Sequence, residues 1–516
     1  SLSHSSSDNL KLKSWLDDVL KIPFGIYSKV KNKNTKEFLK EMDDLMNIAV
    51  WGHNDAKNRI LQIMAQKIRN PNSKGQVIAI HGPPGNGKTT LIKEGISKAM
   101  NKPFVFISLG GATDSAFLDG HSFTYEGSIY GRIARGIIES KCMDPIIYFD
   151  ELDKVSNTTK GEEIINILIH IIDPAQNEHF RDKYFHGIDI DISRATFIFS
   201  FNDLSKINYI LLDRITTIET KYLTANQKLH ICDNYLLPSI FKDLGFEDKP
   251  IIFSREILNN IINTYTKEGG VRKIKSLLYE ICQQINLLIY KEENLLNDKI
   301  KLPLQIKQEQ VDFLLQNHYK IEKDDINNIN KVGVVNGLWA GNLGIGGVLP
   351  IETTLIPSKR IFSVKATGSL EKVIKESIDV ALSVAWNKLN TQTKNKWLEK
   401  WNTNPECFHV HCPEGAVPKD GPSAGCALTL ALYSRLVNKK IRNDIAMTGE
   451  INLQEKVMKI GGLEEKLSGA KLAGVYNIFI PKDNVVDYEK IKTRNPELLD
   501  GMIVTPIDNF ELIMEK

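Results

Sequence analysis

Residues 77 to 90 read Val-Ile-Ala-Ile-His-Gly-Pro-Pro-Gly-Asn-Gly-Lys-Thr-Thr, and this stretch decides the fold of the first half of the chain. Val77 to Ile80 is an apolar run of strand length, and the residues from Thr90 to about Met100 follow with a helical pattern. Between them stands G-x-x-x-x-G-K-T, in the strand-loop-helix setting that a phosphate-binding loop requires. Its members are Gly82, Pro83, Pro84, Gly85, Asn86, Gly87, Lys88 and Thr89. The glycines let main-chain N–H groups face phosphates. Lys88 then reaches the β and γ phosphates of a nucleotide, and Thr89 can hold Mg²⁺.

Working outward, a second strand from Pro145 to Phe149 ends in Asp150-Glu151, which sets two carboxylates at the carboxyl edge of a parallel sheet. Asp150 would hold Mg²⁺ through water and Glu151 would polarise the attacking water. A third strand, Thr196 to Phe201, ends in Asn202, placed to orient that water. Taken singly these residues read as solvated loop ends or a turn asparagine; joined to the phosphate loop they form one site. Leu211-Leu212-Asp213-Arg214 puts an arginine at the end of a helix-like segment, and the chain then reads as helical from Thr224 to about Asn317. Within it Gly269-Gly270-Val271-Arg272 starts a helix whose arginine can turn back to the nucleotide. Upstream, Leu10 to about Arg69 is charged and helical, broken at Pro23 and near Gly52.

A different chemistry is written near the other end. In Pro418-Lys419-Asp420-Gly421-Pro422-Ser423-Ala424-Gly425 a Gly-Pro turn sets a serine at the first turn of an apolar helix. Unpaired N–H groups and the positive end of the helix dipole suit a developing oxyanion beside a serine nucleophile, although serine is also a preferred N-cap. The base for Ser423 has two candidates. His409 and His411 share one face of a strand and allow three readings: a metal pair, for which no third Cys, His or carboxylate stands at a convincing spacing, a base acting with Asp420, or histidines packed beside the site. Lys466 follows the Gly461-Gly462 turn on a helix that also carries Glu464 and Glu465, a setting in which a lysine is usually solvated.

The 516 residues exceed one core and suggest three or four units. With 66 basic and 63 acidic side chains the net charge is +3 and both signs are scattered, so the composition gives no support for nucleic-acid binding. Six cysteines form no CxxC pair and no dense framework, as expected of a reduced protein. The uncharged run Val332 to Ile351 is broken by glycines, asparagines and a proline and reads as short strands and turns, not a membrane span. No apolar signal segment opens the chain. The expected location is the cytosol, or an organelle matrix if a targeting segment has been removed.

The order of phosphate loop, Asp-Glu strand, Asn strand, arginine and helical lid resembles an AAA+ ATPase, and the serine turn makes the whole similar to the Lon proteases. The resemblance runs from about Leu16 and includes Lys21-Ile22-Pro23-Phe24-Gly25, Ser108-Leu109-Gly110-Gly111, Gly270-Val271-Arg272 and Met447-Thr448-Gly449-Glu450-Ile451. It implies an α/β architecture: an AAA+ phosphate-loop parallel sheet with a helical lid, then a mixed α/β peptidase domain of the Lon type. Expected bounds are a helical leading segment over 1–70, the nucleotide-binding domain over 71–222, the lid over 223–323 and the peptidase over 324–516.

The resemblance further implies ATP and Mg²⁺ as cofactors, with Thr89 and Asp150 toward the metal. It implies a serine-lysine dyad of Ser423 and Lys466 supported by Thr448, unfolded or damaged proteins as substrates, and a homo-oligomeric ring, usually a hexamer. Arg214 would project into a neighbouring subunit's nucleotide and Arg272 would sense the nucleotide of its own. The large amino-terminal substrate-recognition domain of the family is expected to be absent. Three departures stand out. The axial loop that grips substrate usually pairs an aromatic with an apolar residue, but here Tyr125 precedes Glu126, which implies a weaker grip or one selective for basic segments. Glu455 stands where the family more often has glycine, and Trp339 to Val348 is unusually rich in glycine. The competing reading is a remodelling or DNA-associated motor whose peptidase-like domain is inactive.

Overall fold

The structure, a computed structural model, describes all residues except 1–6, 29–34, 71–76, 113, 124–126, 249, 322–328, 342–343, 414–418 and 515–516. The chain forms two compact units, one of Ser1–Asn259 with Gly269–Leu315 and the other of Asn260–Glu268 with Gln316–Lys516.

In the first unit β1 (Val77–His81), β2 (Phe104–Ser108), β3 (Ile146–Asp150), β4 (Thr196–Phe201) and β5 (Thr216–Glu219) form one sheet in the order β2-β3-β4-β1-β5. Every pairing is parallel. The central strands β3 and β4 read as nearly continuous apolar runs because helices cover both faces. Ile147, Phe149, Phe197 and Phe199 pack on one side with the helices Arg132–Ser140 and Thr159–Ile172, while Ile146, Tyr148 and Ile198 pack on the other with Thr35–Ala49 and Asn54–Arg69. Each such buried side chain contributes about 1.5–3 kcal/mol of burial. Since the strands run the same way, the residues after β1, β3 and β4 converge on one edge, which is how Gly82, Glu151 and Asn202 come together.

A helical region follows. Its first helix, Ala225–Ile231, is started by a reciprocal cap: Gln227 N donates to Thr224 Oγ1 at 3.3 Å and Thr224 N donates to Gln227 Oε1 at 3.0 Å. The region is not helical throughout, as the sequence had suggested. Two short parallel strands, β6 (Ile251–Ile252) and β7 (Leu304–Gln305), interrupt it just after Pro250 and Pro303, where proline removes a donor and disfavours helix in the preceding residue. Arg272–Tyr290 is its longest helix.

The second unit contains β8 (Lys331–Val332), β9 (Val334–Ala340), β10 (Gly346–Pro357), β11 (Val364–Thr367), β12 (Glu406–His411), β13 (Lys440–Ile441), β14 (Ile445–Met447), β15 (Glu450–Ile451), β16 (Val457–Met458), β17 (Asn477–Pro481) and β18 (Ile503–Ile507). Seven of them make a mixed sheet in the order β11-β12-β10-β9-β14-β17-β18. The helices Lys372–Asn387 and Gly425–Val437 bury Ile374, Ile378, Ala427 and Ala431 against one face, where Ile351, Phe408 and Val410 lie. On the other face the helix Leu463–Leu472 packs Leu463 and Leu467 against Leu338, Val348 and Ile478. The uncharged run Val332–Ile351 is thus the strands β8, β9 and the start of β10.

Gly346 in this run has a packing cause. A Cβ on Gly346 would lie 1.9 Å from Glu465 O, and one on Gly469 would lie 2.2 Å from Gly347 N. The helix therefore rests main chain to main chain on β10. Among the described residues no helix is long and apolar enough to cross a membrane.

Candidate active site

Two clusters of polar residues are built, one in each unit. In the first unit the loop after β1 folds back under Lys88, which opens a helical segment running to Met100 with a wider, π-type middle over Leu91–Ser97. Gly82 has φ 146°, and a Cβ there would meet Thr220 O at 2.1 Å, so only glycine fits. Lys88 Nζ donates to Gly82 O and Pro83 O, each at 2.8 Å, and to Asn202 Oδ1 at 2.9 Å. Burial pulls its pKa down to about 8, against the opposing pull of Asp150 and Asp153. Asn86 Nδ2 donates to Thr220 Oγ1 at 2.8 Å, whereas its Oδ1 is buried with no hydrogen-bond partner among the described residues. A buried cation at a glycine-walled loop matches what a polyphosphate requires.

Asp150 and Glu151 sit where expected and differ in setting. Asp150 Oδ1 accepts from Glu151 N at 3.0 Å, from Tyr148 Oη at 3.1 Å and from Ser200 Oγ at shorter range. Glu151 is exposed and left-handed, with φ 61°, a conformation that costs about 1 kcal/mol for a residue with a Cβ. Its carboxylate reaches over Gly110, where a Cβ would stand 2.2 Å from Oε2. Asn202 N donates to Asp153 Oδ2 at 3.2 Å, so a carboxylate that the sequence did not single out orients the residue between β4 and Lys88.

The two arginines have different surroundings. Val271 N donates to Gly85 O at 3.0 Å, and a Cβ on Gly85 would come within 2.8 Å of Arg272 Cβ; the start of the helix Arg272–Tyr290 thus lies against the phosphate loop. Arg214 is exposed after the helix Tyr209–Asp213, and its Nη1 donates to Ile210 O at 3.1 Å, on its own helix and not at the loop. Tyr125 and Glu126 lie outside the described residues.

In the second unit Ser423 stands in the short 3-10 turn Pro422–Ala424, immediately before the helix Gly425–Val437. Its carbonyl accepts from Gly449 N at 2.8 Å and from Thr448 Oγ1 at 3.2 Å, and Cys426 N donates to Gly449 O at 2.9 Å. These bonds staple the serine turn to the residues just past β14. Thr448 is fully buried and also accepts from Lys466 Nζ at 3.0 Å. Lys466, far from being solvated, is 3% exposed, and burial lowers its pKa to about 8, with Glu465 opposing. Ser423 and Lys466 are therefore joined through Thr448, whose hydroxyl touches the lysine amine and the serine main chain.

The histidines have another partner. Thr367 Oγ1, on β11, lies 2.9 Å from His409 Nε2 and 2.8 Å from His411 Nδ1. Burial, with Lys365 and His411 adding to it, lowers the His409 pKa. Among the described residues no third His, Cys, Asp or Glu completes a metal-holding group with them. Asp420 Oδ1 accepts from Val373 N at 3.0 Å and Ile374 N at 3.2 Å, capping the helix Lys372–Asn387. Glu455 is left-handed at φ 65°, the conformation glycine would adopt freely, and its carboxylate pairs with Lys388 Nζ at 2.6 Å.

Sequence reasoning missed Tyr148, Ser200, Asp153, Thr220 and Thr367. For Tyr148 and Ser200 a signal was present: each is a hydroxyl within an otherwise apolar strand.

Three family descriptions match. Residues 305–516 match the Lon protease (S16) C-terminal proteolytic domain, 78–222 the ATPase family associated with various cellular activities (AAA), and 242–297 the Lon protease AAA+ ATPase lid domain. A Lon protease homolog of Acanthamoeba polyphaga mimivirus is 36% identical over 98% of this chain and 55% of its own length. Lon proteases of Fusobacterium nucleatum subsp. nucleatum and Clostridioides difficile are 35% and 34% identical, over 94% and 98% of this chain and 60% and 62% of their own. The chain thus spans a little over half the length of the curated relatives it matches.

Proposed function

The chain belongs to the Lon protease family, and from that premise we propose that it is an ATP-dependent protease that unfolds, translocates and cleaves proteins with a serine-lysine dyad. The observation that carries this reading is Lys466: a buried amine with a pKa near 8, bonded to a threonine that also bonds the Ser423 carbonyl.

In the peptidase unit neutral Lys466 takes the proton of Ser423 Oγ as that oxygen attacks the scissile carbonyl. The positive end of the dipole of the helix Gly425–Val437 favours the oxyanion that forms. The lysine then passes its proton to the departing amine, leaving an ester on Ser423. Water, deprotonated by Lys466, attacks the ester carbonyl, and the lysine returns that proton to Ser423 Oγ as the acyl–oxygen bond breaks. Thr448 holds the lysine in register with the serine turn, while His409 and His411 support the strand beside it.

In the nucleotide unit Lys88 and the loop Gly82–Thr89 hold the phosphates of ATP, Glu151 polarises the lytic water and Asn202 orients it. Thr89 and Asp150 are oxygen donors suited to Mg²⁺, which when bound supplies charge neutralisation at the phosphates. Arg272 senses the bound nucleotide, and the exposed Arg214 serves a neighbouring subunit in a homo-oligomeric ring, taken to be a hexamer. Tyr125 and Glu126 belong to the loop that grips unfolded substrate. The segments 1–70, 71–222, 223–323 and 324–516 are the corresponding domains. The six cysteines are buried free thiols, which suits a reducing cytosolic compartment.

The test is casein degradation with and without ATP, by the parent chain and by Ser423→Ala. ATP-stimulated cleavage lost in the variant, with ATP hydrolysis retained, is the expected result. Absence of cleavage by the parent with ATP hydrolysis intact would overturn the reading in favour of a motor with an inactive peptidase-like domain, and equal cleavage by both proteins would remove Ser423 as the nucleophile.

A further inference from the structure

Tyr148 is a large polar side chain buried in the face that β3 turns toward the helices Thr35–Ala49 and Asn54–Arg69, and it is fully enclosed. Its ring sits beside Phe104 and Phe106, with centroids 5.7 Å away in both cases. The hydroxyl meets three groups: Thr89 Oγ1 at 3.1 Å, Ser200 Oγ at 2.8 Å and Asp150 Oδ1 at 3.1 Å. Two of the three are the residues assigned above to Mg²⁺.

Each hydroxyl has one proton to give, and the carboxylate only accepts. Ser200 Oγ donates to Asp150 Oδ1. The shortest contact of the phenol is to Ser200, so its own proton goes there, and the oxygen is left to accept from Thr89. The result is a relay of three hydrogen bonds, Thr89 to Tyr148 to Ser200 to Asp150. A hydroxyl that ligates a cation must aim its lone pair at the cation and its proton elsewhere. The phenol receives that proton. At the other end Oδ1 accepts from Ser200 Oγ and Glu151 N, which leaves Oδ2 as the oxygen turned to the cation or its water.

We propose that Tyr148 is a positioning residue that sets the two Mg²⁺ ligands, Thr89 and Asp150, before the cation arrives. This rests on the nucleotide reading of the first unit.

The experiment measures affinity for a non-hydrolysable ATP analogue across a Mg²⁺ titration, in the parent, Tyr148→Phe and Ser200→Ala. Tyr148→Phe keeps the ring and removes the oxygen; Ser200→Ala breaks the relay from the carboxylate side. Without Mg²⁺ the variants should bind the analogue as the parent does. The Mg²⁺ concentration giving half of the affinity gain should rise about three- to tenfold in each, the effect of losing one hydrogen bond. Thermal unfolding run beside it should show the same loss in the Mg²⁺-dependent shift conferred by the analogue. If Tyr148→Phe unfolds too readily to be measured, Ser200→Ala decides alone. A Mg²⁺ dependence unchanged from the parent overturns the proposal while leaving the nucleotide site standing. A parent chain that binds no analogue with or without Mg²⁺ removes both, and one that binds it equally well at every Mg²⁺ concentration removes the proposal alone.

Discussion

Replacing Lys466 with methionine should abolish peptide cleavage and, at neutral pH, make the protein more stable. The lysine pKa falls from 10.5 to about 8 on folding, and at about 1.4 kcal/mol per unit this is a cost of about 3 kcal/mol for holding the charged amine in its buried site. The sign follows from proton binding. Below about pH 8 the lysine is protonated in both folded and unfolded chains, so the whole cost falls on the folded state. Between about 8 and 10.5 the unfolded chain alone keeps the proton, and the parent gains stability as pH rises; above that range the cost is gone. Methionine keeps the apolar stem and removes the charge, at the loss of the bond to Thr448, about 1 kcal/mol. The variant should therefore be more stable by about 2 kcal/mol at pH 7 and less stable by about 1 kcal/mol above pH 10.5.

Lys57 and Lys88, whose pKa values are also near 8, are present in both proteins and cancel in the difference. The measurement is denaturant unfolding followed by tryptophan emission. Four of the six tryptophans, Trp339, Trp386, Trp397 and Trp401, lie in the second unit, so the signal reports mainly on the unit that holds the lysine. A variant less stable than the parent at pH 7, or a gap that does not shrink as the pH rises, refutes the reasoning. The parent's peptide cleavage should rise through about pH 8, not through 6.5 as a histidine base would require.

Lys88→Ala should lose ATP turnover and the degradation of folded substrates while still cutting short unstructured peptides, and Glu151→Gln should bind nucleotide in a titration without hydrolysing it. Arg214→Ala should lose ATP hydrolysis in the assembled ring and regain part of it when mixed with Lys88→Ala subunits; no recovery at any ratio speaks against action on a neighbour. Asp420→Asn should retain most peptide cleavage, because an amide oxygen still caps the helix Lys372–Asn387, whereas Asp420→Ala loses a cap worth about 1 kcal/mol; near-total loss in the asparagine variant would restore a Ser-His-Asp reading. Gly469→Ala should reduce peptide cleavage severely with ATPase activity intact, since its Cβ would stand 2.2 Å from Gly347 N.

The phosphate loop, the Asp-Glu strand and the serine turn were legible because each chemistry demands particular residue types at fixed spacing within one local element. What stayed hidden depended on long-range pairing. Nothing local to Lys466 says that it is buried, since two glutamates beside it describe a solvated helix; its burial comes from strands more than a hundred residues earlier in the chain. The histidine pair had three open readings because its partner, Thr367, lies on a neighbouring strand that no spacing rule connects to it. Asp420 looked like a member of a triad and is a helix cap, a use that only the position of Val373 and Ile374 reveals. The lid region lost its continuous helix to two prolines that periodicity alone underweights.

The seam between β10 and the helix Leu463–Leu472 also limits how the peptidase unit can vary. At Gly346 and Gly469 the atoms that exclude a Cβ are main-chain atoms, so no neighbouring side chain can be trimmed to make room. A methyl group there can be admitted only by lifting the helix, and the helix carries the lysine. Redesign of this protein for new cleavage preferences should therefore leave both glycines fixed and vary the exposed rim, because the seam ties the shape of the backbone to the position of a single proton acceptor.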